Sequence, residues 1–314
     1  MAHWTPDDIP DLTGRVAVVT GANRGLGLET SKALAQHGAT VVMACRDPQH
    51  SDAAVRQVAE MGISGQVEAM SLDLSDLDSV RAFAKDLAGR HDRLDILVNN
   101  AGVMAPSKRH TTKQGFELQL GVNHLGHFAL TGLLLPSLLR AAGSRVVTVS
   151  SIAHESGTMD LDDLQSERQY TPYGAYGRSK LANLMFMLEL DRRLKRAGAT
   201  TISVAAHPGF ANTNLQAAGP FLDASPVSSW LSLAAVRLIG QSAAHGAEPQ
   251  LYAATASGVR GGDYYGPQRK IAGHPKPADM APAARDEVVA ARLWDVSKEL
   301  TGVDLDAAIG ARAG

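Results

Sequence analysis

Short apolar runs alternate with longer amphipathic stretches along most of the chain. The apolar runs predict buried strands at 16–20, 40–44, 67–72, 94–98, 145–150, 201–206 and 261–265. The stretches between them place apolar residues at a spacing near 3.6 and predict helices at 26–37, 51–61, 116–139, 176–196 and 287–300. A capping pattern, Ser75-x-x-Asp78, predicts the start of a further helix after the third strand. Strict alternation of this kind favours parallel strands joined by right-handed crossovers.

This order of elements predicts an α/β fold, a Rossmann-type doubly wound parallel sheet with helices on both faces. We expect residues 15–302 to form a single domain, preceded by an N-terminal extension at 1–14 and followed by a C-terminal tail at 303–314. Residues 211–260 are less regular. They favour a loop-and-helix insertion near the substrate, within the same domain.

The composition excludes several classes of function. The 314 residues are 45% hydrophobic and 20% charged, with a net charge of −2, and no long basic run suggests a nucleic-acid surface. Cys45 is the only cysteine, so no intrachain disulfide can form. The N-terminal 14 residues contain no apolar signal sequence, and the apolar stretches 130–139 and 230–239 are too short to cross a bilayer. We therefore expect a cytoplasmic protein without a membrane anchor.

A glycine-rich turn joins the first predicted strand to the first predicted helix. Glycine allows a tight turn and close approach of the backbone to a pyrophosphate, and the helix N-terminus attracts the phosphate charge. The position of the turn between strand and helix therefore predicts dinucleotide binding. The predicted contacts are Gly21, Asn23, Arg24, Gly25, Leu26 and Gly27.

The end of the second strand bears on the choice between NADP(H) and NAD(H). An acidic residue there would accept a hydrogen bond from the ribose 2′-hydroxyl of NAD, but the position holds Cys45, followed by Arg46. Arg46 and Arg24 suit a 2′-phosphate. Asp47 is the counter-argument, because it could serve as the acid for NAD(H). The sequence favours NADP(H), with NAD(H) as the alternative.

Two residues after the third strand complete the predicted adenosine site. Asp73 is placed to accept a hydrogen bond from the adenine amino group, and Leu74 lies beside it. The alternative for Asp73 is a purely local role, starting the turn that caps the next helix.

Tyr176 and Lys180 share one face of a predicted helix, because they are four residues apart. An ammonium about 4 Å from a phenol, at an effective dielectric of about 20, favours the phenolate by roughly 4 kcal/mol. That energy would lower the phenol pKa by about three units, toward neutrality. By itself, such a pair is more often an exposed helix face than a catalytic one.

Four features occur in one order: the turn 20–27, Asn99-Asn100-Ala101-Gly102, a serine at a strand end, and Tyr176-x-x-x-Lys180. In this combination, residues 12–300 resemble the short-chain dehydrogenase/reductase family. The strings 123–128 and 179–183 are similar to its retinol-dehydrogenase-like branch.

The resemblance implies hydride transfer between a nicotinamide cofactor and a carbonyl or alcohol. It implies that Tyr176 is the general acid or base and that Ser151 polarises the substrate oxygen, with Ser150 as the alternative. Lys180 would lower the Tyr176 pKa and hold the ribose, and Asn123 would bind a water that supplies protons to Lys180. Further cofactor contacts implied by the resemblance are Asn100, Ala101, Gly102, Pro208, Gly209 and Thr213.

One departure from the family is the long separation between Ser151 and Tyr176. We expect the intervening segment 153–171 to bulge outward, and Tyr170 and Tyr173 are lesser candidates because neither has a lysine four residues later. No metal site is predicted, because the neighbouring histidines lack zinc-ligand spacing and the acidic cluster is typical of a solvated loop. These residues are His124, His127, His154, Asp160, Asp162 and Asp163.

Apolar residues late in the chain favour a small, lipophilic aldehyde, ketone or secondary alcohol as substrate, although they could simply pack against the core. They are Phe210, Leu215, Phe221, Leu222, Trp230 and Leu231. The alternative functions are an NADP(H)-binding sensor without turnover and a sugar-nucleotide epimerase or dehydratase. The resemblance also implies a homodimer or homotetramer.

Overall fold

A mostly parallel sheet forms the centre of the protein, in a computed structural model that describes residues 3–210 and 241–310. Within these residues the sheet has eight strands in the order β3-β2-β1-β4-β5-β6-β7-β8. β1 to β7 pair in parallel and β8 pairs antiparallel to β7. The strands are β1 Val16–Thr20, β2 Thr40–Cys45, β3 Gln66–Ser71, β4 Ile96–Asn99, β5 Arg145–Val149, β6 Ile202–Ala206, β7 Tyr264–Pro267 and β8 Pro275–Pro277.

Helices cover both faces of the sheet. One apolar core joins the sheet to α1, α2 and α6, and the other joins it to α3, α4, α5, α7 and α8. The predicted doubly wound α/β fold is therefore confirmed. The helices are α1 Gly25–Gln36, α2 Pro48–Ala59, α3 Leu77–Arg90, α4 Leu118–Arg140, α5 Pro172–Arg196, α6 Ala243–Thr255, α7 Glu287–Thr301 and α8 Leu305–Gly310.

Two helix starts differ from the sequence prediction. α3 is capped by Asp76, whose carboxylate accepts from the Asp78 amide, whereas Ser75 bonds back to Asp73. The predicted Ser75 cap was therefore wrong by one residue. α5 begins at Pro172, one turn earlier than expected, since proline at the first helical position has a helical φ and needs no amide partner.

α4 contains a π-helical turn, Gly121–Leu125, that periodicity did not predict. Among the described residues, α4 alone has the length and apolar composition of a membrane span. However, 83% of its most apolar window is buried inside the protein, which is typical of a core helix.

Two peripheral segments are part of the regular fold. α6 packs against α1 and connects β6 to β7, so this portion of the expected 211–260 insertion is an ordinary crossover helix. Residues 211–240 lie outside the described part of the chain. In the expected C-terminal tail, Leu305 and Ile309 of α8 are buried in the core.

Candidate active site

The predicted site residues gather at the carboxyl ends of the parallel strands. The glycine turn follows β1, Asn100–Gly102 follows β4, Ser151 follows β5 and Pro208 follows β6. β1 and β4 are neighbours from which the chain winds in opposite directions, and doubly wound sheets bind their ligands at such a switch point.

The glycine turn has the backbone that its sequence requires. Gly21 and Gly25 adopt φ values of 65° and 56°, in the left-handed region that favours glycine. A side chain at Gly27 would collide with the carbonyl of Gly21, so α1 starts unusually close to the turn. Arg24 immediately precedes α1 and is exposed, while Asn23 and Leu26 are half-buried.

Thr20 ties the glycine turn to the segment after β4. Its hydroxyl accepts from the backbone amides of Asn100 and Ala101, at 2.9 Å each. Asn100 returns a bond from Nδ2 to the Thr20 carbonyl at 2.8 Å, and its Oδ1 accepts from Gln250 of α6 at 3.2 Å. Sequence reasoning missed Gln250, because nothing local indicates that α6 reaches this loop.

At the end of β2, Asp47 caps α2 and does not extend toward the glycine turn. Its carboxylate accepts from the Gln49 amide at 2.9 Å and from His50 Nδ1 at 2.7 Å. Burial raises the pKa of the Cys45 thiol, and that side chain is also hydrogen-bonded to the amides of the glycine turn. Arg46 is exposed, and it forms no ion pair within residues 3–210 and 241–310.

Asp73 has the local role that the sequence left as the alternative. Its Oδ1 accepts from the Ser75 amide at 2.9 Å and from the Ser75 hydroxyl at 2.6 Å, which closes the turn before α3. Leu74 is buried and packs against Gly126 of α4. One carboxylate oxygen of Asp73 thus accepts both hydrogen bonds of this turn.

Ser151, Tyr176 and Lys180 meet where α5 passes the end of β5. Burial raises the pKa of Tyr176 to about 12, and the Ser151 side chain partly offsets this. Ser150 is engaged elsewhere, since its hydroxyl donates to the Lys180 carbonyl at 2.8 Å. The geometry therefore places Ser151 next to the phenol and turns Ser150 away.

The nearby Lys180 ammonium does not bring the pKa of Tyr176 toward neutrality. Its Nζ lies 5.6 Å from the centroid of the phenol ring and donates to the Val149 carbonyl at 3.2 Å. Burial lowers the pKa of Lys180 itself to about 8. The expectation of a phenol pKa shifted toward neutrality was wrong, because burial raises that pKa.

Asn123 lies within the π-helical turn and braces the surrounding segments. Its side chain exchanges two hydrogen bonds with the backbone of Val103 and donates to the Ser179 hydroxyl at 2.9 Å. Ser179 in turn donates to the Tyr176 carbonyl at 2.8 Å. A side chain at Gly102 would lie 3.1 Å from Asn123 Oδ1, so the segment after β4 is pressed against this turn.

The long segment between Ser151 and Tyr176 packs against α5. Arg178 donates to the carbonyls of Asp163 and Leu164, and a side chain at Gly157 would collide with the backbone of Gly177. The expected outward bulge was therefore wrong. The extra residues include two short 3-10 helices, Ile152–Ser156 and Leu161–Asp163, and the carboxylate of Asp160 caps the second.

The two lesser tyrosine candidates are separated from this cluster. Tyr170 donates its hydroxyl to the Pro106 carbonyl at 2.7 Å. Tyr173 is 67% exposed, one turn before Tyr176 on α5. Only Tyr176 lies beside both Ser151 and Lys180.

After β6, His207, Pro208 and Gly209 form a compact turn. The Gly209 amide donates to His207 Nδ1 at 3.2 Å, and Gln241 donates to the Pro208 carbonyl at 2.7 Å. Phe210 is 39% exposed next to it. The other residues assigned to this region, Thr213, Leu215, Phe221, Leu222, Trp230 and Leu231, lie outside the described residues.

The histidines considered as metal ligands hydrogen-bond to other protein groups. His124 Nε2 lies 2.9 Å from the Ser297 hydroxyl, and His127 contacts Thr20 and Asn123. His154 Nδ1 donates to the Ser151 carbonyl and its Nε2 accepts from the Ala281 amide at 3.1 Å, which steadies the backbone of Ser151.

Comparisons with known proteins agree with this geometry. The short chain dehydrogenase family model matches residues 15–219. The chain is similar to retinol dehydrogenase 11 of Mus musculus, with 42% identity over 94% of this chain and 89% of that protein. A crystal structure of a protein from Mycobacterium Paratuberculosis superposes with a TM-score of 0.81 and 42% identity, over 97% of this chain and 99% of that one. The Pseudomonas aeruginosa RhlG/NADP active-site complex gives a TM-score of 0.64 and 26% identity, over 82% and 95% of the two chains.

Proposed function

Because the chain belongs to the short-chain dehydrogenase family, we propose that it is an NADP(H)-dependent enzyme in which Tyr176 transfers the proton. The coarser activity follows from the family and the retinol dehydrogenase relatives: the protein is an oxidoreductase that interconverts alcohols and carbonyl compounds with a nicotinamide dinucleotide. The preference for NADP(H), the proton transfer by Tyr176 and the lipophilic substrate are our proposal.

One observation carries the role of Tyr176: the phenol is buried between the Ser151 hydroxyl and the Lys180 ammonium. A bound nicotinamide supplies or accepts the hydride. For reduction, Ser151 donates a hydrogen bond to the carbonyl oxygen and polarises it. Tyr176, which keeps its proton at neutral pH, donates that proton to the same oxygen. Lys180 then stabilises the phenolate, and in the oxidation direction the phenolate removes the alcohol proton.

The described residues fit a dinucleotide with a 2′-phosphate. The glycine turn allows backbone contact with a pyrophosphate, since Gly25 and Gly27 in the first turn of α1 carry no side chains. Arg24 and Arg46 are exposed cations without ion pairs to described residues, and Asp47 is committed to capping α2. The NADP complex of the RhlG structure supports the same preference.

We propose a small, lipophilic aldehyde, ketone or secondary alcohol as substrate. Exposed Phe210, beside the turn after β6, supports an apolar approach to the site. The names of the relatives assign retinol to those proteins, and a retinoid is one substrate within this class. A cytoplasmic location and a homodimer or homotetramer complete the proposal.

Replacing Tyr176 with phenylalanine tests the proposal. The variant should lose about 10²–10⁴-fold in kcat for NADPH-dependent reduction of aldehydes and ketones, the range that a positioned acid contributes. Its Kd for NADPH, measured by fluorescence titration, should stay within about twofold of the wild type. Tyr173→Phe, on the exposed side of the same helix, is the matched control and should keep full activity.

Two results would contradict the proposal. Undiminished turnover by Tyr176→Phe would remove the phenol from the mechanism. The second result is a wild-type protein that binds NADPH tightly but reduces no member of a panel of aldehydes, ketones, quinones and steroids. It would favour the alternative function, an NADP(H)-binding sensor without turnover.

A further inference from the structure

His127 is a buried side chain that links the two halves of the site. It lies on α4 just after the π-helical turn, is 1% exposed, and points toward the end of β1. Its Nδ1 lies 3.0 Å from the Asn123 carbonyl oxygen, and its Nε2 lies 2.9 Å from the Thr20 hydroxyl oxygen. One ring therefore bridges the turn that holds Asn123 and the strand that leads into the glycine turn.

The partners determine which ring nitrogen carries the proton. A carbonyl oxygen can only accept, so Nδ1 must be the donor to Asn123. In a neutral imidazole Nε2 is then an acceptor, and the Thr20 hydroxyl must donate to it. Burial lowers the pKa of His127 to about 4, and the charge on Lys180 acts in the same direction, so the neutral ring is the state at pH 7.

This assignment completes the hydrogen bonds of Thr20. Its hydroxyl has one proton and two lone pairs. The lone pairs accept hydrogen bonds from the backbone amides of Asn100 and Ala101. The proton goes to His127 at 2.9 Å, which is shorter than the 3.3 Å to the Val98 carbonyl. The ring therefore fixes the orientation of the hydroxyl that holds the segment after β4.

We propose that His127 is a positioning residue that sets Asn123 and the segment Asn99–Gly102 in register with each other. This inference deepens the proposed function and rests on it. Through Nδ1, the ring orients the backbone of Asn123. The side chain of Asn123 donates to the Ser179 hydroxyl, which in turn donates to the Tyr176 carbonyl. Through Nε2 it holds Thr20, and with it the loop predicted to line the cofactor.

Two substitutions separate the two bonds. In His127→Asn, the side-chain amide can replace Nδ1 and keep the bond to Asn123, but it cannot reach Thr20. In His127→Gln, the longer side chain can replace Nε2 and keep the bond to Thr20, but it leaves the Asn123 carbonyl without its partner. A purely structural histidine would make both variants fail in the same way.

We expect His127→Asn to weaken NADPH binding by about 5–10-fold in Kd, with kcat at saturating NADPH within about threefold of the wild type. We expect His127→Gln to lose about 10–100-fold in kcat, with Kd within about twofold. The control is His124→Gln, a change of an equally buried histidine that bonds Ser297, which should lower the melting temperature but leave kcat and Kd within about twofold.

A double-mutant cycle isolates the Thr20 bond. If His127 acts on the segment Asn99–Gly102 through Thr20, Thr20→Val should raise the Kd for NADPH by a smaller factor in the His127→Asn background than in the wild type. Additive effects, or equal changes of kcat and Kd in the Asn and Gln variants, would overturn the proposal. NADPH binding is measured without turnover, so failure of the proposed reaction would appear separately, as a wild type that binds NADPH but reduces nothing.

Discussion

The ammonium of Lys180 lies over the ring of Tyr176, with Nζ 5.6 Å from the ring centroid. Both groups are buried, and burial moves their pKa values in opposite directions, to about 12 for the phenol and about 8 for the ammonium. At pH 7 both groups are therefore protonated. In the proposed reaction, Tyr176 therefore has a proton to give to a carbonyl oxygen.

The rate of carbonyl reduction should decline on the alkaline side. Because the pKa of Lys180 is about 8, the ammonium is present below that pH and is lost as the pH rises through it. We expect kcat for reduction to be flat below about pH 7 and to fall above about pH 8. In Lys180→Arg, whose guanidinium stays protonated, residual activity should show no decline near pH 8. A decline at the same pH in that variant would assign it to another group.

Replacing Lys180 with methionine should abolish reduction yet stabilise the protein. The depressed pKa means that the buried ammonium destabilises the folded state, by about 1.4 kcal/mol per pKa unit. The Val149 carbonyl keeps its bond from Asn183 at 3.1 Å, so the change leaves no unpaired acceptor there. We expect an increase of about 1–3 kcal/mol in the free energy of unfolding at pH 7, measured by urea denaturation. A loss of stability would show that Lys180 is structurally required.

Reversing the charge of Arg46 should change the choice of cofactor. If the guanidinium binds the 2′-phosphate, Arg46→Glu removes a charge-assisted bond of about 1.5–3 kcal/mol, which corresponds to a rise of about 10–100-fold in the KM for NADPH. The KM for NADH should stay the same or fall. Arg56→Glu, the same change on an exposed position of α2, is the control and should affect neither cofactor. Equal losses for both cofactors would contradict NADP(H) specificity.

Asp47 should affect folding and not cofactor choice. Removal of its cap by Asp47→Ala leaves the Gln49 amide without its partner and should lower the melting temperature. The ratio of kcat/KM values for NADPH and NADH should stay within about twofold. A selective loss of NADH activity would instead show that Asp47 binds the ribose, which is the NAD(H) alternative.

Acid should destabilise the protein through its buried histidines. The pKa values of His124, His127 and His207 are lowered to about 3, 4 and 4 by burial, from about 6.5. Above pH 6.5 these groups are neutral in both the folded and unfolded states. Between pH 6.5 and 4 only the unfolded chain binds the three protons, so stability falls as the pH is lowered. We expect the melting temperature to fall steeply over this interval, and His124→Gln should make the slope shallower by about one proton.

The elements and the glycine turn could be predicted because their signals are local. Apolar runs bounded by glycine define buried strands, and the turn 20–27 needs glycine for steric reasons that hold in any context. The prediction that Tyr176 and Lys180 share one face required only that their segment be helical. By contrast, the roles of Asp47 and Asp73 depend on amides brought to them by the following turn, and both side chains are engaged locally.

The sequence by itself determined the doubly wound sheet, the strand ends that carry the site, and the positions of Tyr176 and Lys180 on one helix face. Only the tertiary structure decided how those groups ionise, because desolvation depends on everything packed around them. It also turned Ser150 toward the Lys180 carbonyl and folded the segment 153–171 against α5. It brought Gln250 to the loop after β4 and His127 to Thr20. Contacts between residues far apart in the chain leave no periodic signal, so they emerge only when the sheet and its helices are assembled.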